Sequence, residues 1–558
     1  MKRNRTHIRI GQNALSGKPI NIPLEELMDT HTFVLGRSGV GKSYLLEMFA
    51  RAIIQSGYGL IFLDGKGDLF DNLQKFLASR IGESKTILID PTDDKQSIGI
   101  NYLEIFGQTS PEALASQVLE GMKKFFKEDK EYKPWLEEWG AASLLPLIKG
   151  GFTLLELFQF TSLREPGFRK ALLAKLGDGF YQQKWRELEV FREQEQANIL
   201  NVVKTRASKF WTSEPLKHIF GQTKTSFDWL RLMNEGKVLL ANLGPGQNNL
   251  TEEITSFIGA AMIHQLLTNA PLRPKGHRRP VFLIVDEFQK FVCNDFADAL
   301  DRLRGYGIYL ILSCQRSSQL SEENPQVYDS VMTNCRNKFI FSISRKDGEE
   351  MALELFTGYI HQDRIKDEIL QWKLRPVETT REIVSEGDSW GHDDVSGLGS
   401  VLGTTISPDG DLLISTSSSV SQVVSNIYGG SRAIARVPWY EYEQYQEVTS
   451  RTFYTPDQLI ERYIAWVVDQ DARHLQMKLG SKKPIPMITV DLKEARVLPS
   501  HVKEFRNKVF KKTALPIPEL EKEIEGRVKA FLSANEVSQK TKYPESFRVP
   551  KKSKRPKD

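Results

Sequence analysis

Apolar residues in this chain fall into short unbroken runs, each ending in a cluster of glycine and charge. One set is Thr32-Phe33-Val34-Leu35, Leu60-Ile61-Phe62-Leu63 and Thr86-Ile87-Leu88-Ile89. A second set is Lys237-Val238-Leu239-Leu240-Ala241-Asn242-Leu243, Val281-Phe282-Leu283-Ile284-Val285, Ile308-Tyr309-Leu310-Ile311-Leu312-Ser313 and Phe339-Ile340-Phe341-Ser342-Ile343. A run that is apolar at every position predicts a strand buried on both faces. Such strands alternating with stretches of helical pattern predict an α/β fold with a mainly parallel sheet. From about Pro111 to Asn234 the pattern turns helical and charged, with few β-branched runs, which predicts an all-α domain inserted between the two halves of the sheet. Residues 385–435 are rich in Ser and Gly and predict a flexible excursion or a loose hairpin. Order returns with a helix from Thr455 to Ala472 and two strands, His474 to Leu479 and Pro486 to Val490. The resulting plan is a discontinuous core (1–107 and 236–384), a helical insertion (108–235), a flexible insertion (385–435), a segment returning to the core (436–498) and a basic tail (499–558).

Chemistry gathers where these strands end. The first is followed by Gly36-Arg37-Ser38-Gly39-Val40-Gly41-Lys42-Ser43, a complete G-x-x-x-x-G-K-S phosphate-binding loop, and then by a helix from Tyr44 to Ile54. Backbone N–H groups of such a turn face a triphosphate at the helix N-terminus. Lys42 is placed to reach the β- and γ-phosphates, and the Ser43 hydroxyl to ligate Mg²⁺. The run Val281 to Val285 ends in Asp286-Glu287. An aspartate there suits Mg²⁺, held through water, and the glutamate beside it suits polarising an attacking water.

Charge and cysteine content add less. The chain has 558 residues and a formal net charge of +5. Residues 501–558 carry sixteen Lys/Arg against eight Asp/Glu, which leaves the remainder at −3. A tail ending Lys551-Lys552-Ser553-Lys554-Arg555-Pro556-Lys557 suits nucleic acid or an acidic partner, and equally a solvated terminus. Cys293, Cys314 and Cys335 have no C-x-x-C spacing and read as reduced thiols in a cytoplasmic protein. No histidine cluster has metal-ligand spacing, and His392-Asp393-Asp394 reads as loop. No segment approaches eighteen consecutive apolar residues. In the insertion, Lys123-Lys124-Phe125-Phe126-Lys127, Lys133-Pro134-Trp135 and Lys204-Thr205-Arg206 before Lys209-Phe210-Trp211 interleave basic and aromatic residues. That pattern serves phosphate contact and base stacking, or the core face of an amphipathic helix.

Taken in order, His31 through the phosphate loop, the turn Asp64-Gly65-Lys66-Gly67-Asp68, Asp286-Glu287, and Arg304-Gly305-Tyr306-Gly307 leading to Ser313-Cys314-Gln315 resemble the HerA/FtsK superfamily of ring-forming DNA-pumping ATPases. The helical insertion, followed by Ser226-Phe227-Asp228-Trp229 and Gly236-Lys237, is most similar to the conjugative coupling ATPases of type IV secretion (TraG/TraD type). The resemblance implies a RecA-like P-loop core of the additional-strand catalytic-glutamate class, ATP and Mg²⁺ as cofactors, and DNA as cargo. It also implies a homo-hexamer, with a relaxase and a secretion-channel or membrane subunit as partners. By the same resemblance Gln315 senses the γ-phosphate. Arg304 reaches a neighbouring subunit's nucleotide, with Arg336 as the competing candidate. Lys66 approaches phosphate or DNA, or is a solvated turn residue. Only thirty-five residues precede the phosphate loop, and none of them can span a bilayer. The expected location is therefore cytoplasmic, or peripheral at the inner membrane. Three functions stay open: a DNA translocase in conjugation, a cytoplasmic HerA-like motor in defence or repair, and a recruiting adaptor that uses ATP as a switch. A small-molecule kinase or GTPase is disfavoured by chain length and by the lack of an N-K-x-D motif.

Overall fold

The computed structural model describes residues 7–107, 109–125, 134–177, 179–246, 250–276, 278–292, 295–360, 364–387, 396–406, 412–422 and 431–542. They form two compact units: residues 1–358 with 460–558, and residues 359–459.

The larger unit opens with an antiparallel pair, β1 (His7–Asn13) and β2 (Pro19–Pro23), and enters the core at β3 (Thr32–Leu35). The helix Lys42–Gln55, β4 (Gly59–Asp64), the helix Phe70–Arg80, β5 (Thr86–Ile89) and the short β6 (Gln96–Ile98) follow. Helices from Pro111–Phe125 to Trp229–Glu235 make up the insertion. The sheet resumes with β7 (Val238–Asn242), β8 (Val281–Val285), β9 (Ile308–Cys314) and β10 (Asn337–Phe341). All residues of β3, β4, β7, β8 and β10 are buried, as expected of strands covered by helices on both faces.

The smaller unit is built from β11 (Ile365–Gly387) paired antiparallel with β14 (Ser431–Phe453), and β12 (Ser396–Ile406) paired antiparallel with β13 (Leu412–Gln422). Strands thus run into the stretch expected to be a loose Ser/Gly-rich excursion, and they begin twenty residues before it. β-Branched and aromatic residues (Ile434, Val437, Trp439, Tyr440, Tyr442, Tyr445, Val448) explain the extended form of the return arm.

Back in the larger unit, β15 (His474–Lys478) and β16 (Ile485–Thr489) join the main sheet, whose described strands run β2-β1-β16-β15-β10-β3-β9-β8-β4-β7-β5. From β10 to β5 every neighbouring pair is parallel; from β15 outward the pairs are antiparallel. Beyond residue 499, where a tail was expected, the chain forms the helix Pro499–Thr513, β17 (Ala514–Pro516) paired with β6, and the helix Ile517–Lys542. Most charged residues described on these helices are exposed, Arg506 and Arg527 being tucked into ion pairs, while Phe505, Val509, Phe510, Leu520 and Ile524 are buried. The basic run from Lys551 lies outside the described residues, as do Cys293, His392-Asp393-Asp394 and Phe126 to Lys133. Cys314 and Cys335 are free and buried, and burial pushes both thiols up to about 12.

Candidate functional site

Parallel strands present their carboxyl ends along one edge of a sheet, and β3, β4, β8 and β9 lie side by side there. The loop leaving β3 turns through two left-handed glycines, Gly39 (φ 80°) and Gly41 (φ 108°), into the helix Lys42–Gln55. Gly36 cannot carry a side chain, because a Cβ there would stand 2.6 Å from Cβ of Phe341. The helix has no acidic residue in its first turn, so its N-terminal N–H groups keep their attraction for an anion. Lys42 is buried and donates to the carbonyls of Gly36 and Arg37. Burial, with some help from the like charge of Lys66, lowers its amine to about 8.

Opposite the loop stands Asp286, the residue after β8. It is 1% exposed, and neither carboxylate oxygen has a hydrogen-bond partner among the described residues. Burial raises its carboxyl above the ordinary range. A buried, unsatisfied carboxylate is costly unless something positive meets it, and a hard divalent cation shared with the Ser43 hydroxyl fits that chemistry.

Glu287 is held quite differently. Its backbone is left-handed (φ 53°), a strained conformation for a residue with a side chain and one that accumulates at functional sites. One carboxylate oxygen accepts from Lys66 Nζ at 2.8 Å and from Gln315 Nε2 at 2.6 Å; the other accepts from Gln289 Nε2 at 2.7 Å. Burial alone would raise its pKa, but the donors, Lys66 foremost, outweigh it and keep the carboxyl below its usual value. Lys66 in turn is held above its ordinary value despite burial, by Asp286 and Glu287.

The turn that delivers Lys66 is wound around Asp64. This buried carboxylate accepts from the backbone N–H groups of Lys66, Gly67, Leu69 and Phe70 at 2.8–3.2 Å. Burial and the nearby Asp286 raise it to about 6 in spite of those bonds. Gly65 lets β4 and β8 approach: a Cβ there would lie 2.5 Å from the Asp286 carbonyl oxygen.

Among the residues singled out in the sequence, the phosphate loop, Asp286, Glu287 and Gln315 meet at this edge. Arg304 does not. It precedes β9, donates to the Asp29 carbonyl at 2.8 Å and is exposed, so it stands at the other end of the seven-residue strand whose far end leads to Gln315. That is about 20 Å away along the strand. Arg336, also exposed, precedes β10 at the same distant edge. In the insertion, Phe210 is fully buried and Trp211 Nε1 donates to the Leu155 carbonyl at 2.8 Å, while Trp135 is exposed.

Two contributors, Arg473 and Arg506, escaped the sequence reading, and a third, Lys66, was singled out there without its partner. Lys66 pairs with Glu287. Arg473, itself left-handed (φ 70°), donates its backbone N–H to the Val40 carbonyl at 2.7 Å and anchors its guanidinium on Thr489 and Asp491. Arg506 binds Asp90 at 2.7 Å and Asp93 at 2.9 Å, and Asp90 also accepts from Asn242. Only Lys66 gave a signal, by lying in a glycine-flanked turn just after a buried strand.

The central domain of the helicase HerA matches residues 8–258, and the TraM recognition site of TraD and TraG matches residues 280–355. Among solved structures, the plasmid coupling protein TrwB in complex with a non-hydrolysable GTP analogue is 16% identical. It covers 89% of this chain and 93% of its own, with a TM-score of 0.50. The same protein with a non-hydrolysable ATP analogue is 16% identical over 89% of this chain and 92% of its own, with the same TM-score. At such identities the likeness is one of fold. No curated protein matches the chain. No helix among the described residues is long and apolar enough to cross a membrane. The two matched stretches bear out the resemblance drawn from motif order, to the HerA/FtsK superfamily of P-loop ATPases and within it to the conjugative coupling proteins of TraG/TraD type.

Proposed function

We propose that this chain hydrolyses ATP to move DNA through a homo-hexameric ring in conjugative transfer. The observation that carries the reading is the contrast between two adjacent carboxylates. Asp286 is buried with no well-formed hydrogen bond to either carboxylate oxygen, although Ser313 and the charge of Lys66 lie near, and Glu287 is kept ionised by Lys66 and Gln315. Pairs of titratable groups driven apart by their surroundings mark a division of labour. In this reading residues Gly36 to Ser43 cradle the phosphates of ATP, and Ser43 and Asp286 hold Mg²⁺. When bound, that ion neutralises charge on the β- and γ-phosphates. Glu287 accepts a proton from the attacking water, and the Gln315 amide, hydrogen-bonded to Glu287, senses the γ-phosphate and reports hydrolysis to bound DNA. Arg304 stands too far from its own loop to serve it, and in this reading it reaches a neighbour's nucleotide. An arginine supplied in trans commonly contributes about 10³–10⁵ in rate.

The match of residues 280–355 to a TraM recognition site supports docking of a transfer-complex protein, a relaxase-associated or membrane subunit, on this part of the core. The protein would then work in the cytoplasm or peripherally at the inner membrane. Steady-state ATPase with and without DNA tests the proposal. A translocase is stimulated by DNA, and its DNA binding weakens as salt rises. Slow turnover that ignores DNA and responds only to a protein partner would favour the adaptor. DNA stimulation together with activity that needs no transfer component would favour a HerA-like motor in defence or repair.

A further inference from the structure

The smaller unit has a feature that the nucleotide chemistry does not use. Its strands β11 and β14 are each 23 residues long, about 75 Å at ordinary rise, and they pair only with each other among the described residues. Two-stranded sheets are marginal in water by themselves. This one also leaves large apolar side chains in solvent, including Trp372 (61% exposed), Ile369 (59%), Ile434 (58%) and Tyr440 (56%).

Seven Lys/Arg against eight Asp/Glu leave the two arms nearly neutral, and eight of these fifteen charges pair with one another. Glu368 pairs with Arg451, Lys373 with Glu447, Arg375 with Glu443 and Glu382 with Arg436, all across the ladder. Little is left to steer a strongly charged partner such as DNA. Natural edge strands avoid association by being short or by carrying charge and proline along the edge. The two arms carry charge and one proline each (Pro376 and Pro438), but their edges are long, and the further pair, β12 with β13, has no charged residue in either strand's sequence.

We propose that these edges are covered by the same edges of neighbouring copies, β11 of one chain beside β14 of the next. Every ribbon offers one edge of each kind, so a head-to-tail contact between identical copies repeats until it closes, and a closed sheet has no edge left. A single unlike partner would cover one edge and leave the other open. The proposal rests on the ring proposed above and adds a subunit contact outside the ATPase core.

Amide hydrogen exchange of the full chain, with sedimentation run in parallel, is the test. In an antiparallel pair alternate N–H groups point outward, so a lone ribbon protects at most about half of its amides. A ribbon paired on both edges protects nearly all of them. Peptides within 367–384 and 434–451 are expected to be protected beyond half in the assembled protein and to lose the excess on dilution to monomer. A second form replaces residues 367–451 by a short Gly/Ser linker, which is feasible because Tyr454 N–H already bonds the Arg364 carbonyl at 3.0 Å. It should need at least about tenfold more protein to assemble, a change of about 1.4 kcal/mol, with its thermal midpoint unchanged. An assembled ring with half-protected ribbons, or a shortened form that assembles equally well, overturns the pairing and leaves the ring standing. Full protection gained only when lipid vesicles or another protein is added also overturns it. A protein that stays monomeric at every concentration, with or without nucleotide and DNA, removes the ring and this contact together.

Discussion

Replacing Lys66 by methionine tests whether the ion pair with Glu287 sets the catalytic pH range. The pair is close (2.8 Å) and largely buried: the Lys66 side chain is 21% exposed and that of Glu287 1%. At an effective dielectric of about 20, unit charges 4 Å apart interact by about 4 kcal/mol. Part of this is lost to relaxation and water entry, and Gln315 and Gln289 still donate, so about 1.5–3 kcal/mol is a working figure. Since 1.36 kcal/mol corresponds to one pKa unit, the Glu287 carboxyl should rise by about one to two units. The sign is fixed: Lys66 now holds that pKa down, so its removal moves the acid limb of the kcat profile toward neutral pH. Activity at pH 7.5 then changes little, and activity at the acid end of the range falls several-fold relative to the parent. The assay is steady-state ATP turnover from pH 5 to 8.5 for the parent, Lys66→Met and Glu287→Gln, with thermal midpoints as a folding control. An equal loss at every pH would mean that Lys66 works on the phosphates and not through Glu287, and an unmoved limb would refute the electrostatic account.

Four further outcomes are expected. Mixing Arg304→Ala with Glu287→Gln subunits should restore part of the ATPase activity that each lacks alone, read as concentration-dependent turnover; no recovery despite proven subunit exchange moves the trans role to Arg336. Asp64→Ala strands four backbone donors, each worth about 1–3 kcal/mol when buried and unpaired, and so should lower the denaturation midpoint markedly. In the parent, the Asp64 carboxyl is raised from 3.8 to about 6; its contribution favours the folded state below pH 4 and is lost as pH rises to about 6, a trend Asp64→Asn should flatten in denaturant titrations. Arg506→Ala leaves Asp90, 4% exposed at its side chain, without its cation, and should cost about 2–4 kcal/mol, read as earlier proteolysis within residues 499–542 while ATP affinity holds.

The site was legible where chemistry is local and hidden where it depends on strands meeting. The phosphate loop, and Asp286-Glu287 after a wholly apolar run, carry their meaning in consecutive residues. Lys66 does not: its role exists only because β4 lies beside β8, and a lysine in a polar turn looks the same whether it is solvated or paired. Arg473 and Arg506 were invisible for the same reason, since their partners Val40 and Asp90 lie hundreds of residues earlier. The helices after residue 499 were obscured by charge density, although the spacing of Phe505 with Val509 and Leu520 with Ile524 marks an apolar face at helical period. In the smaller unit, Ser and Gly in the middle of the segment masked long alternating arms on either side.

The bond from Arg473 to the Val40 carbonyl also constrains the order of synthesis. The loop is translated more than four hundred residues before Arg473, and the strand pair that braces its back, β15 with β16, emerges from the ribosome only after about residue 490. Contacts of such sequence separation form late and slowly. A nascent chain that has made the phosphate loop and even the Asp286 strand therefore still holds that loop unsupported on one side. A premature stop between Phe356 and Arg473 yields a protein with every sequence motif of an ATPase and an unbraced nucleotide pocket.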